Sequence, residues 1–277
     1  APGHEDALAL ILEEIARGSV ECDMCELEPL PEGAATEGLI GAAADKRLAP
    51  VWCETGGSVT VDLTQGWDAY LASKSKSSRK RIRRERRALD AAKHAWIRSA
   101  GPGGDILDRV FEVSLRSWKG RAGTSIASTE YQKLLYRGLW ERFGPPGAME
   151  LNVLEIEGRD AGVLISIRRG DTAYGMKIDF DEDFADYSPG RLMVADFLER
   201  SAADGVRVVD MLRRSPFTGE FSRDGYGLGR LQLFPRVNLP AIWYGLQEKL
   251  RPVGRGWRRS RRRARQGRSA HAGKPAP

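Results

Sequence analysis

The chain has 277 residues, 41% of them hydrophobic and 30% charged, with 44 Lys and Arg against 38 Asp and Glu and a formal net charge of +6. This balance excludes a fibre and wholesale disorder. No run approaches the roughly 18 apolar residues of a spanning helix and no secretory signal is legible, so the expectation is a soluble, cytoplasmic protein.

The chain opens on Ala1 rather than Met, which leaves room for an upstream piece. Glu5 to Arg17 has Leu8, Leu12, Ile15 and Ala16 at helical spacing. A strand is expected around Val20 to Leu27, ended by Pro29 and Pro31. A weaker helix follows over Gly38 to Lys46, then short strands at Val51 to Cys53 and Val59 to Leu63 around the turn Thr55-Gly56-Gly57. Trp67 begins a helix with Tyr70 and Leu71, and a serine-rich break leads to a second whose sparse apolar side is Ile82 and Leu89. After a strand at Ala95 to Ser99 and a loop at Gly101 to Gly104, Asp105 caps a helix with Leu107, Val110, Phe111, Leu115 and Trp118 on one face. The helix from about Ser128 to Phe143 carries Tyr131, Leu134, Leu135 and Leu139 as its apolar stripe.

Three strands then come in close order around the turns Glu157-Gly158-Arg159-Asp160 and Arg169-Gly170-Asp171, the signature of an antiparallel meander. Strict alternation in the third puts Thr172, Tyr174, Met176 and Ile178 on one face and Ala173, Gly175, Lys177 and Asp179 on the other. Tyr187-Ser188-Pro189-Gly190 opens a helix that Gly205 closes before a strand at Val206 to Met211. A last strand near Leu231 to Phe234 and a helix from about Asn238 to Leu250 finish the body.

Charge is segregated along this chain. Lys74 to Arg87 holds nine basic residues and one acid, Glu85, and Arg251 to Pro277 holds ten basic residues and none, which leaves the remainder at −12. Closely spaced cations attract phosphates by releasing counterions. No aromatic interleaves with them between Tyr70 and Trp96, so base stacking, and with it specific nucleic-acid binding, is not expected. An anionic polymer or a membrane surface suits both strips. Cys22 and Cys25 form a C-x-x-C followed by Cys53, but no fourth Cys or well-spaced His completes a metal set, and no metal is expected.

The runs Trp67-Asp68-Ala69-Tyr70-Leu71, Ser117-Trp118-Lys119-Gly120, Tyr174-Gly175-Met176-Lys177 and Asp181-Glu182-Asp183-Phe184-Ala185, closing on Tyr187-Ser188-Pro189-Gly190, stand in one order. Together with the element order from Ala95 onward they resemble the GNAT acyl-CoA N-acyltransferases, in the branch of the CelD-like cellulose-biosynthesis proteins, which is related to the Fem-type aminoacyltransferases. The resemblance implies an α/β (α+β) fold, a mixed, largely antiparallel sheet flanked by helices. It implies an incomplete N-terminal GNAT-like unit over 1–66, an acyltransferase domain over 67–250 and a basic tail over 251–277.

A helix start offers bare N–H groups and partial positive charge, so Ser188, Pro189, Gly190 and Arg191 form a seat for an anion. The resemblance places the diphosphate of acyl-CoA there. Of the family's Arg/Gln-x-x-Gly-x-Gly/Ala pattern only the central glycine is met, with Tyr187 and Leu192 at the outer places. Transfer to an amine needs a proton acceptor and charge stabilisation at the carbonyl oxygen. Asp179, Asp181 and Glu182 are candidate bases, Asp210 a further one, and Lys177 or a backbone N–H near Gly175 the oxyanion partner. Relatives carry a Tyr-Lys pair where this chain has Phe217-Thr218, and Tyr226 is the available substitute. The expected activity is acyl transfer, acetyl first, from acyl-CoA to a small-molecule or polysaccharide-precursor amine. Transfer from aminoacyl-tRNA, and a noncatalytic basic protein holding nucleic acid or anionic membrane, are the alternatives.

Overall fold

A computed structural model describes residues 5–17, 22–99 and 105–234. The chain forms two compact units, one from 57–226 and the other from the two ends, 1–56 and 227–277. This division differs from boundaries at 66 and 250, because the chain after 226 returns to the first unit. The expected helix at Asn238 to Leu250 and the basic tail lie outside the described residues.

In the unit of the chain ends, helices α1 (Glu5–Arg17) and α2 (Ala34–Asp45) accompany a sheet of β1 (Cys25–Pro31), β2 (Ala49–Gly57) and β9 (Gly227–Phe234), in the order β1-β9-β2. Leu12, Ile15, Leu39, Ala43, Leu48, Leu231 and Leu233 form its core. Two expectations are corrected here. Pro29 does not end β1, since the register with β9 slips between Leu27 and Leu30 and the extra residue absorbs the proline at a bulge. The last strand does not finish the acyltransferase body; it lies between β1 and β2.

The unit of 57–226 is built on six strands: β3 (Thr60–Asp62), β4 (His94–Ser99), β5 (Met149–Ile156), β6 (Arg159–Arg169), β7 (Thr172–Phe180) and β8 (Val208–Asp210), in the order β3-β8-β7-β6-β5-β4. β2 and β3 thus enter different sheets, and the expected turn Thr55-Gly56-Gly57 is instead the end of β2, with no hairpin between the two strands. β5, β6 and β7 form the expected meander, whose first turn has Glu157 and Gly158 at φ 50° and 75°, the paired positive angles of a two-residue hairpin loop. Only β7 and β8 run parallel.

One face of this sheet packs on α3 (Gly66–Ser73), α4 (Lys76–Asp90) and α8 (Pro189–Ala203), through Tyr70, Leu89, Leu164, Met193, Phe197 and Val209. The other packs on α5 (Ile106–Arg116) and α7 (Glu130–Phe143), through Val110, Phe111, Trp140, Leu151 and Ile165. On α7 the buried side is Tyr136 and Trp140, whereas Tyr131 and Leu134 are 77% and 67% exposed, as is much of Leu135. Leu115 and Trp118 are also exposed, against expectation. The reason is local: α5 stops at Arg116, Ser117 caps the short helix α6 (Trp118–Arg121), and the chain turns Trp118 outward. Asp105 stands at the N-cap of α5 but its side chain makes no capping bond.

β7 departs from strict alternation. Ile165 pairs with Lys177 but Ser166 with Gly175, so Met176 is an extra residue at a β-bulge. The bulge turns Ala173, Gly175 and Ile178 to the α8 face, and Met176, Lys177 and Asp179 to the α5 face. Lys177 and Asp179 keep their expected common face; Gly175 leaves it.

Gly120 explains the glycine of Ser117-Trp118-Lys119-Gly120. A methyl there would lie 1.9 Å from the Leu115 carbonyl oxygen, whereas at Gly123, φ 69°, the space is open. Gly120→Ala therefore loses about 3 kcal/mol or more and Gly123→Ala about 1–2 kcal/mol, from backbone conformation alone. Urea unfolding of the two variants measures this, and the reverse order contradicts the close approach.

Candidate active site

The site begins where a strand loses its neighbour. β7 and β8 pair from Thr172 and Val208 to Tyr174 and Asp210, and β7 runs on to Phe180 without β8 beside it. Past Asp210 the chain turns away at Leu212, which has a positive φ of 57°. A fork opens between Gly175–Phe180 and the segment after Asp210.

Asp210 stands at the base of the fork, 4% exposed. Its Oδ1 accepts from the Ser58 hydroxyl and, at 2.7 Å, from the Leu212 N–H, and its Oδ2 accepts from the Tyr226 hydroxyl at 2.5 Å. Burial, then the hydrogen bond to Asp210 and its charge, push Tyr226 up to about 12, so the phenol holds its proton at neutral pH. Asp210 and Tyr226, both expected from the sequence, are brought together. Ser58 had no signal in the sequence, since it lies 152 positions from Asp210.

Lys177 is half-buried on the α5 face of β7. Burial, reinforced by Lys119 and Arg213, lowers its ammonium from the ordinary value against the pull of Asp179. Asp179 is buried, accepts from Ser114 Oγ at 2.7 Å and is ion-paired with Lys119, whose Nζ also donates to the Ile178 carbonyl at 2.9 Å. Lys119, present in a quoted motif without a role, is thus the residue that neutralises Asp179. Asp181 caps the 3-10 turn Glu182–Tyr187 through the Asp183 N–H and accepts from Arg116 at 2.8 Å. Glu182 pairs with Arg121. Asp179, Asp181 and Glu182 therefore all have internal partners.

The anion seat has the expected backbone. Ser188 is left-handed, Pro189 is the first residue of α8, and the helical ladder begins with the Arg191 and Leu192 N–H groups on the Ser188 carbonyl. Gly190 lies under Phe180 and Phe217, whose ring carbons would be 3.5 and 3.7 Å from a methyl at that position. Arg191 is turned inward: its Nε donates to the buried Glu85 at 2.9 Å, and its guanidinium also reaches Glu220 and the Ser188 hydroxyl. Its charge is spent on the protein's own carboxylates. Gly175 is not at the seat but in the core, facing Met211 and Phe197. The lone acid of the basic strip, Glu85, was the available sequence signal for the Arg191 contact. Among the described residues no group of three or more His, Cys, Asp and Glu is arranged to hold a metal ion, and no helix is long and apolar enough to cross a membrane.

A meander, a helix started by a Pro-Gly turn, and a parallel neighbour that parts from the central strand over a carboxylate and a phenol define the acyltransferase class of fold. The family model described as an acetyltransferase (GNAT) domain matches residues 76–221, just over half of the chain, and the chain belongs to that family. Among solved structures it is similar to L-PGS from Bacillus licheniformis, with a TM-score of 0.60, 13% identity and coverage of 89% of this chain and 79% of the other. FemX gives a TM-score of 0.57 at 12% identity, covering 88% and 78% of the two chains. The C-terminal domain of a putative lysylphosphatidylglycerol synthetase from Agrobacterium fabrum gives 0.57 at 12%, covering 87% and 76%. These likenesses show the fold. A search of curated proteins finds no match to the sequence.

The lowered Lys177 generates a pH test. Between its lowered value and 10.5 the unfolded chain binds more protons at this residue than the folded chain, so stability rises with pH through that window. Lys177→Met removes a buried charge and is more stable than the parent at pH 7, with the gap narrowing as pH approaches 10.5. Thermal denaturation across this range measures it, and a widening gap contradicts it. Asp210→Asn leaves donors from Ser58 and Tyr226 facing an amide and costs about 1–3 kcal/mol; a variant of unchanged midpoint contradicts the triple acceptance at Asp210.

Proposed function

We propose that this protein transfers an acyl group, acetyl first among them, from acyl-CoA to an amine, with the thioester entering the fork between β7 and the segment after β8. The observation that carries this reading is the placement of Asp210 and Tyr226 at the base of that fork. As the amine nitrogen attacks the carbonyl carbon and the C–S bond breaks, nitrogen loses a proton and sulfur gains one. Asp210 takes the first, Tyr226 gives the second, and their hydrogen bond returns the proton from Asp210 to Tyr226. Lys177, on the open stretch of β7, steadies the carbonyl oxygen. Asp179 and Asp181 then act as positioning residues, through Lys119 and the 3-10 turn before α8. The α8 start, with the Ser188 hydroxyl and the Gly190 N–H, the first-turn donor that the helical ladder leaves over, receives the donor's phosphates. The acceptor is a small molecule or polysaccharide precursor, as in envelope or exopolysaccharide assembly, the setting of the CelD-like branch.

A second reading is favoured by one observation, the engagement of Arg191 by Glu85 and Glu220 at the seat. A seat whose arginine is already neutralised suits a donor other than CoA, and Fem-type transfer from aminoacyl-tRNA is that alternative. Turnover of acyl-CoA and of aminoacyl-tRNA over a panel of amines separates the two. The first reading expects thiol release from acyl-CoA, a kcat lowered about 10²- to 10⁴-fold by Tyr226→Phe, and tighter acyl-CoA binding in Glu220→Gln, which leaves Arg191 freer to meet phosphate. Activity with aminoacyl-tRNA alone overturns it in favour of the second, and neither activity overturns both.

A further inference from the structure

The basic helix α4 has two sides of different character. Its inner side is neutralised by the body: Arg81 pairs with Glu220 at 3.0 Å, Arg86 pairs with Glu199, Glu85 receives Arg191, and Leu89 enters the core. Its outer side is formed by Lys76, Arg79, Lys80, Arg83, Arg84 and Arg87, which line a single concavity of about 670 Å³. Their spacing of three and four residues keeps all six on one helical face, over roughly 16 Å at 1.5 Å per residue. No carboxylate of the described residues lies within ion-pair distance of any of the six. Arg79 is fixed by backbone acceptors, donating to the Ala72 and Lys74 carbonyls at 2.8 and 2.6 Å.

Folding alone does not select this arrangement. The pairs Lys76/Lys80, Arg79/Arg83, Lys80/Arg84 and Arg83/Arg87 are like charges at helical i,i+4 spacing, each destabilising by about 0.2–0.5 kcal/mol. The first turn carries cations and no acid, against the helix macrodipole. An external polyanion removes both penalties.

We infer that the outer face of α4 is a docking surface for the phosphate backbone of double-stranded nucleic acid, bound without regard to sequence. Charge complementarity selects the partner, and what the face lacks narrows it. No aromatic lies on it to stack unpaired bases, which disfavours a single strand. The apolar side of α4 is buried in the protein, so the helix has no exposed apolar face to sink into a lipid interface. A duplex presents one phosphate charge per roughly 1.7 Å of its axis, dense enough to meet all six cations along the stripe. The surface is separate from the fork and does not depend on which donor is used there.

The test is binding of the full chain to a 20-base-pair RNA duplex and a DNA duplex of the same sequence, followed by fluorescence anisotropy over a range of salt. Both duplexes bind, within several-fold of each other and of a scrambled sequence, and log affinity falls linearly with log salt. In the triple variant Lys80→Gln, Arg83→Gln, Arg84→Gln the slope becomes shallower by about 2–3 and low-salt affinity drops at least tenfold. Circular dichroism shows the variant folded, since Gln is as good a helix former and removes like-charge repulsion. Unchanged duplex binding in the triple variant assigns the affinity to the tail and overturns the inference. So does tighter binding to a single strand or to phosphatidylglycerol vesicles than to duplex. These outcomes are read without an acyl-transfer assay, so a failure of the proposed enzymatic reading is distinguishable from a failure here.

Discussion

Three residues of parallel pairing between β7 and β8, and its abrupt end, set the geometry on which everything else rests. A parallel neighbour satisfies the backbone of β7 as far as Tyr174 and buries that edge. Once Asp210 is passed, the chain is drawn aside by the left-handed Leu212, while β7 continues along β6 to Phe180. A sheet whose pairing fails in its middle exposes strand edge in the interior of a fold, where main-chain groups need partners or a ligand. The carboxylate at the parting point is itself held by a hydroxyl, a backbone N–H and a phenol, so the branch point is rigid.

The polar groups around this opening divide by who satisfies them. Asp179, Asp181 and Glu182 are spent on Lys119, Arg116 and Arg121 and hold β7, α5, α6 and the turn before α8 in register. Asp210 and Tyr226 satisfy each other, the phenol donating to the carboxylate. Lys177 stands on the unpaired stretch of β7, where Lys119 and Arg213 act on it as charges of the same sign. The seat at α8 is braced from below: Glu85, the one acid set among the cations from Lys74 to Arg87, is buried to anchor Arg191, which ties α4 to the first turn of α8.

That contact also sorts the charge of α4. The strip from Lys74 to Arg87, with nine cations and one acid, reads as uniformly basic, yet its inner arginines are consumed by Glu199 and Glu220 and only the outer row keeps its field. Net charge of +6 conceals this row as it conceals the acidic body.

Much of the fold was legible because it is written in local chemistry. The Glu157-Gly158 and Gly170 turns specify the meander, Pro189 and Gly205 bracket α8, and the motif order carries the family. Facing was less so: alternation misplaced Gly175 because a bulge at Met176 leaves no mark in a sequence read by twos, and the α7 stripe was misassigned because Tyr131, Leu134 and Leu135 are apolar yet unburied. What only the tertiary structure decided were pairings across long stretches of chain: Ser58 with Asp210, Glu85 with Arg191, Lys119 with Asp179, and β9 with β1. Hydrogen bonds and ion pairs act over a few ångströms of space whatever the separation along the chain, so the residues they join carry no shared pattern for the sequence to display. The amino-acid order by itself determined the elements, their punctuation and the family; the packing of those elements decided which side chains meet.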